Sequence, residues 1–444
     1  MSKLGVQWNQ SMSTRRTFIK HGGLTAGGLA TAAAFGATVL PAAGMASPYT
    51  GAGTASFLPG AAIGSPLPGA AMGSPLPGVA TAPPFLGAAE GIRISKMFAE
   101  PLSIEMEPFP IALGVMTHLD NAFVRIVLEN GIEGYGEAAP IMTISGENQQ
   151  TILGTLNSCR EFIVGQDINN YRLIAYTLRS AFWAQSAARC AVEMALLDAW
   201  TKTLNIPFYS FLGGNEKRIE TDYTVSIVPP SQAKKEAEQL AAEGYRTIKT
   251  KVGINLTEDI ERVLAIRDGA PGCGILIDAN QGYSPKTALR FINEVVNQGI
   301  HPVLFEQPVL KSDLAGMKFV RDNTEVPVCA DESVFTAADA IEIVRTGCAD
   351  AINIKLAKSC IIEALDIAAI ARSANLKLMI GCMVETNLAL GCAVHFAAGV
   401  GGFEFVDLDP SFDSSECPVS GGPVYRAPYW TIGPEPGLGF RSRQ

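Results

Sequence analysis

Five ionisable residues, each closing a short apolar run, constrain this 444-residue chain more than any other feature. They are Lys251, Asp278, Glu306, Asp331 and Lys355, and successive members lie 24 to 28 residues apart. That interval holds one strand, one helix and two loops, the repeat of a (β/α) barrel. Strand-like runs at 222–228, 246–252, 274–279, 302–306, 327–331, 351–355, 376–382 and 403–407 supply eight strands. Amphipathic segments such as 231–243, 284–298 and 359–373 lie between them, and little room is left for a full helix after the last strand. The expected fold over residues 216–409 is therefore an α/β barrel of modified TIM type, (β/α)7β. In such a barrel the carboxyl ends of the strands converge on one mouth, where chemistry takes place.

A different pattern precedes the barrel. Residues 122–128 and 131–137 are strand-like and flank Glu129-Asn130-Gly131, and Asn-Gly is a strong hairpin signal. Residues 151–164 and the Ala-rich 187–204 have helical character, so 91–215 reads as an α+β domain. The segment 410–444 is loop-rich and is expected to pack back on that domain.

The N-terminus belongs to neither unit. Residues 1–46 hold Lys3, Arg15, Arg16 and Lys20 and no acidic residue. Ser13-Thr14-Arg15-Arg16-Thr17-Phe18-Ile19-Lys20 has twin-arginine form, and a Gly/Ala-rich stretch and small residues around 43–46 follow it. This reads as a signal for the Tat export machinery and a periplasmic location, with no stable membrane anchor. Residues 47–90 read as a linker: a nine-residue Leu-Pro-Gly repeat starts at Leu58, Leu67 and Leu76, too rich in Pro and Gly for helix or strand. The net charge of −9 with interspersed signs and no basic stripe argues against nucleic acid as a partner. Nine scattered cysteines show neither a disulfide framework nor zinc-ligand spacing. A homo-oligomer is the expected assembly.

Asp278, Glu306 and Asp331 end neighbouring strands. Three hard oxygen donors without His or Cys suit one Mg²⁺ rather than zinc. Lys249 and Lys251 are two residues apart on one strand, so both point to the barrel interior. Lys355 ends the sixth strand, which lies opposite the second in an eight-stranded barrel. A lysine near Mg²⁺ and another ammonium is expected to have a lowered pKa, which suits a general base. A carboxylate substrate held by the metal acidifies its α-proton, so one lysine removes a proton and the other returns one to the opposite face. That implies racemisation or epimerisation, although one-base lactonisation or dehydration uses the same parts. A non-catalytic periplasmic binding protein and a Schiff-base aldolase barrel are weaker alternatives.

Lys249-Thr250-Lys251, Asp278-Ala279-Asn280, Glu306-Gln307-Pro308, Ala330-Asp331-Glu332-Ser333 and Asn353-Ile354-Lys355 together resemble the motif set of the enolase superfamily, in its muconate-lactonising subgroup. The resemblance implies that residues 91–215 form a capping domain whose loops select the substrate. It implies metal ligands at Asp278, Glu306 and Asp331, and acid/base lysines at Lys251, serving the (R)-centre, and Lys355, serving the (S)-centre. Asp407-Leu408-Asp409 is similar to the dipeptide epimerases, where two carboxylates receive the dipeptide ammonium. Thr224 and Gly381-Cys382-Met383-Val384-Glu385 resemble substrate-lining positions, which adds Thr224, Lys249, Cys382, Met383 and Glu385 to the expected contacts. Relatives acting on Ala-Glu hold the glutamate with an Arg from a capping-domain loop. Here that position falls on Gly114, and the loop 109–121 contains no Lys or Arg. A buried carboxylate there would lack a partner. The expected substrate is a dipeptide with a small or apolar C-terminal residue, such as Ala-Ala or a bulkier hydrophobic dipeptide, and the periplasmic location points to D-Ala-containing peptidoglycan fragments.

Overall fold

The Asn130-Gly131 turn joins strands Gly114–Leu128 and Glu133–Ala138 in the computed structural model, which describes residues 91–214, 216–410 and 416–443. The export signal and the repeat read at 1–90 lie outside the described residues. Strand Ile94–Ile111 pairs antiparallel with Gly114–Leu128 from Ile94↔Leu128 to Ile111↔Gly114, completing a three-stranded sheet. This corrects one expectation. Residues 109–121, read as a loop, form the tip of a long hairpin in which only Ala112 and Leu113 turn. The register can close so tightly because Gly114 adopts a φ of 142°, open to glycine alone.

Helix Ser186–Thr203 is buried along almost its whole length, as its alanines allow. Strand Glu133–Ala138 lies against it so closely that a Cβ at Gly134 or Gly136 would meet the carbonyl oxygen of Ala195 or Ala191 at 2.0 Å. The two glycines therefore set the distance between sheet and helix. Helix Gln149–Ile163 is closed at its start by a capping box between Asn148 and Thr151.

Eight parallel strands follow: Tyr223–Val225, Thr247–Lys251, Gly274–Asp278, Leu304–Glu306, Val328–Ala330, Ala351–Ile354, Lys377–Gly381 and Phe405–Asp407. They are hydrogen-bonded in sequence order. The first and last come together through the Asp222 amide donating to the Val406 carbonyl (2.9 Å) and the Leu408 amide donating to Thr221 Oγ1 (2.8 Å). Helices Pro230–Glu243, Leu256–Gly269, Pro285–Asn297, Leu314–Asp322, Ala337–Thr346, Ile361–Ser373 and Asn387–Val400 make the crossovers of a (β/α)7β barrel. The helix expected from residue 359 starts at Ile361, because Cys360 takes a φ of 64° after the short turn Leu356–Ser359.

Inside the barrel the strand period of two writes alternating layers. Leu276, Leu304, Cys329, Ala351 and Met379 pack into one apolar layer. Two residues further along the same strands stand Asp278, Glu306, Asp331, Asn353 and Gly381. The C-terminal segment lies over the capping domain: the Leu438 amide donates to Asp198 Oδ1 (2.8 Å) and the Ser442 amide to the Tyr135 hydroxyl (3.1 Å).

A buried carboxylate of the capping domain, Glu137, ties it to the barrel. Glu137 accepts from the Thr386 amide (2.9 Å) and hydroxyl, the Ala389 amide (3.2 Å) and Asn121 Nδ2 (2.6 Å). Glu137→Ala would strand these buried donors and is expected to cost about 3 kcal/mol in chemical denaturation. Glu137→Gln, which keeps an acceptor oxygen, should lose less than Glu137→Ala; equal losses would remove the clamp role.

Candidate active site

The ends of the barrel strands carry an alternating set of buried charges. Lys249 is completely enclosed and its ammonium meets Asp407 (2.6 Å), Glu306 (2.7 Å) and Asp278 (3.2 Å). Lys251 pairs with Asp278 (2.7 Å), Lys355 with Asp331 Oδ2 (2.8 Å), and Lys358 with Asp331 Oδ1 (2.6 Å). Burial raises the pKa of Asp278, but Lys251 and Lys249 outweigh it and hold the carboxyl down at about 2. Asp331 is held below its usual range in the same way by Lys355 and Lys358. Burial together with the charge of Asp278 pushes Glu306 up to about 7. For Lys355, burial pulls the pKa down while Asp331 and Glu306 raise it, and the carboxylates win. The carboxylates thus favour the ammonium, whereas the sequence expectation of a lowered pKa concerns a lysine beside Mg²⁺.

Lys251 and Lys355 end the second strand and follow the sixth, four places apart in the eight-stranded order and so on opposed walls. Both line one small cavity (≈ 60 Å³) with Asn280, Thr224, Cys382, Met383, Asp407 and Asp409. Its outer wall is apolar: Met106, Phe109, Ile111 and Met116 of the hairpin, with Ile141 and Ile144. Gly381 makes room for the second lysine, since a Cβ there would meet Asn353 Oδ1 at 2.9 Å and Lys355 Cε at 3.1 Å.

Asp407 and Asp409 are anchored from the first strand. The Thr224 amide donates to Asp409 Oδ2 (2.9 Å) and its hydroxyl to Asp407 Oδ1 (3.4 Å). Burial, helped by the charge of Asp407, pushes Asp409 up to about 6. Burial also acts on Asp407, but Lys249 and Lys251 outweigh it and keep it low.

Two expected substrate contacts are off the cavity wall. Lys249 stands one inward position below Lys251 on the same strand and is spent as a counterion beneath the mouth. Glu385 is buried, and burial with the charge of Glu137 pushes its pKa to about 8. The sequence reading missed four neighbours. Lys358 lies three residues beyond Lys355 and grips Asp331. Asn353 donates to Glu306 Oε1 (2.6 Å), and Asn280 to Glu332 Oε1 (3.2 Å). Asn353, Asn280 and Glu332 sit inside the quoted motifs, and Lys358 follows Lys355 one helical turn on; that adjacency was the available signal.

As the side chains stand, the three expected metal ligands engage ammonium groups. Among the described residues, no three His, Cys, Asp or Glu side chains close on one point. The donors nonetheless fit a hard cation. Glu306 Oε2 and Asp331 Oδ2 are buried and face only ammonium groups, Lys249 at 2.7 Å and Lys355 at 2.8 Å. The mutual repulsion that raises Glu306 is what a divalent ion relieves.

Comparison with known proteins agrees with this geometry. Residues 94–213 match the mandelate racemase/muconate lactonizing enzyme N-terminal domain, and residues 232–444 match the enolase C-terminal domain-like family. The chain belongs to the enolase superfamily. It is 44% identical to the L-Ala-D/L-Glu epimerase of Thermotoga maritima, over 68% of this chain and 88% of that one. It is 39% identical to the aromatic dipeptide epimerase of Herpetosiphon aurantiacus, over 74% of this chain and 93% of that one. Among solved structures, the dipeptide epimerase of Enterococcus faecalis V583 complexed with Mg and L-Leu-L-Tyr matches with a TM-score of 0.76 at 35% identity, over 80% of this chain and all of that one. Like these enolase-superfamily relatives, the enzyme is an isomerase.

Proposed function

We propose that this enolase-superfamily isomerase epimerises dipeptides at the α-carbon of the C-terminal residue, with one Mg²⁺ per subunit. The observation that carries the reading is the placement of Lys251 and Lys355 on opposed walls of one cavity that also holds Asp407 and Asp409. Mg²⁺ held by Asp278, Glu306 and Asp331 would grip the substrate carboxylate, stabilise the negative charge left by proton loss and draw these carboxylates away from the lysines. Asp407 and Asp409 receive the ammonium at the other end of the dipeptide. The two ends fix the α-carbon between the lysines, so a neutral Lys251 takes the proton from one face and Lys355, as the ammonium, delivers one to the other. In the reverse direction the roles exchange.

The side-chain preference follows from the outer wall. Met106, Phe109, Ile111, Met116, Ile141 and Ile144 offer an apolar surface, and the hairpin tip 109–121 has no Lys or Arg. By the family resemblance, Gly114 falls where an Arg is expected in relatives acting on Ala-Glu. Small or apolar dipeptides such as Ala-Ala are therefore preferred over Ala-Glu, even though the Thermotoga relative is named for Ala-Glu. The Enterococcus enzyme, solved with L-Leu-L-Tyr, supports an apolar choice. With the twin-arginine signal, such a substrate is a D-Ala-containing peptidoglycan dipeptide in the periplasm.

Incubating Ala-Ala, Ala-Phe and Ala-Glu in D₂O with Mg²⁺ tests this directly. Inversion with deuterium uptake is expected for the first two and much less for Ala-Glu. Lys251→Ala and Lys355→Ala should each lose inversion while retaining exchange with only one epimer, a different one for each variant. Exchange by neither variant with either epimer, or undiminished inversion, would reject the two-base assignment.

Asp409 gives the pH dependence its sign. Below about 6 it is protonated and cannot charge-assist the ammonium, so kcat/KM should climb between about pH 5 and about pH 7. Asp409→Asn should abolish that limb and raise KM. A limb of unchanged midpoint in the variant would assign it to another group.

A further inference from the structure

A second cavity of about 640 Å³ opens between the capping domain and the barrel, on the far side of the Asp331-Glu332 loop. Its wall carries four cations, Arg179, Arg189, Lys311 and Lys358, against three carboxylates, Glu332, Asp339 and Glu363. Most of these charges are already engaged. Arg179 is paired with Glu363, Lys358 with Asp331, and Asp339 accepts the Phe335 (3.0 Å) and Thr336 (2.8 Å) amides.

Arg189 and Lys311 are not so engaged. Arg189 is only 6% exposed, yet its Nε has no hydrogen-bond partner and its Nη2 donates only to the Trp183 carbonyl, at 3.3 Å. Its acidic neighbours are turned to backbone amides: Glu147 accepts from Ala187 and Ala188, and Glu193 from Ile361 and Ile362. Lys311 donates to the Ile144 carbonyl (3.1 Å) and stands 5.4 Å over the Phe335 ring, with no carboxylate paired to it among the described residues. Opposing them, Glu332 accepts from Asn280 through one oxygen and leaves the other unpartnered.

A buried guanidinium N–H without an acceptor is costly, and the Nε–H of Arg189 belongs to the planar edge that matches an oxyanion in bidentate fashion. We propose that this cavity binds a small oxyanion, a carboxylate or a phosphate group, between Arg189 and Lys311. The site shares Ile144 with the wall of the substrate cavity but none of its charged residues, and it stands independently of the reaction proposed above.

Trp183, 79% exposed on the same wall, provides the readout. The full chain is titrated with inorganic phosphate and, in parallel, with acetate, at ionic strength held constant with chloride, following Trp fluorescence and heat. Saturable one-to-one binding of either anion is expected, and the tighter one identifies the ligand class. Affinity should fall about tenfold in Lys311→Ala and further in Arg189→Gln. Lys311 is exposed, so its variant decides the matter if Arg189→Gln does not fold. Absence of saturable binding by both anions, or unchanged affinity in Lys311→Ala, overturns the proposal.

Discussion

Four carboxylates and four ammonium groups interleave at the mouth of the barrel, and everything else in the site is arranged around them. Asp278, Glu306, Asp331 and Asp407 alternate with Lys249, Lys251, Lys355 and Lys358, almost without exposure. Neither sign can be held there alone. Removing one member of a buried pair leaves an uncompensated charge at a cost of about 3–5 kcal/mol. The cluster is therefore held together by pairs of opposite charge. Lys249 cannot leave, because it is enclosed from all sides. Lys251 and Lys355 border the cavity.

The scaffold supplies that cluster by simple geometric means. A period of two along each strand places an apolar layer below and the ionisable layer above. Asn280 (φ 39°) and Gln307 (φ 34°), two residues and one residue past Asp278 and Glu306, take a positive φ. Gln307 then secures the next strand, its Oε1 accepting from the Asp331 (2.9 Å) and Ser333 (3.2 Å) amides. Over this polar floor the hairpin brings Met106, Phe109, Ile111 and Met116, so the cavity lies between charges on one side and hydrocarbon on the other. Such a setting strengthens each electrostatic contact by excluding water.

Much of this was legible in the sequence because its signals are periodic. The spacing of Lys251, Asp278, Glu306, Asp331 and Lys355 located the strands to within a few residues, and the Asn130-Gly131 turn located a hairpin. What was not legible depends on depth and on tertiary partners. Two lysines on one strand face look equivalent in sequence, yet Lys249 is a buried counterion and Lys251 lines the cavity. The long hairpin was hidden because 109–121 lacks strict alternation, and the pairing Ile111↔Gly114 depends on a glycine conformation. Lys358 was missed because it follows a strand end as an ordinary helical lysine, and only the fold brings it back to Asp331.

The central claim is that two lysines flank one α-carbon from opposite faces. A crystal structure of the enzyme with Mg²⁺ and Ala-Phe tests it most directly. The expected result places Lys251 Nζ and Lys355 Nζ on opposite faces of the C-terminal residue's α-carbon, each within about 3.5 Å. Both ammonium groups on one face, or either one still bound to its carboxylate and out of reach of the α-carbon, would contradict it.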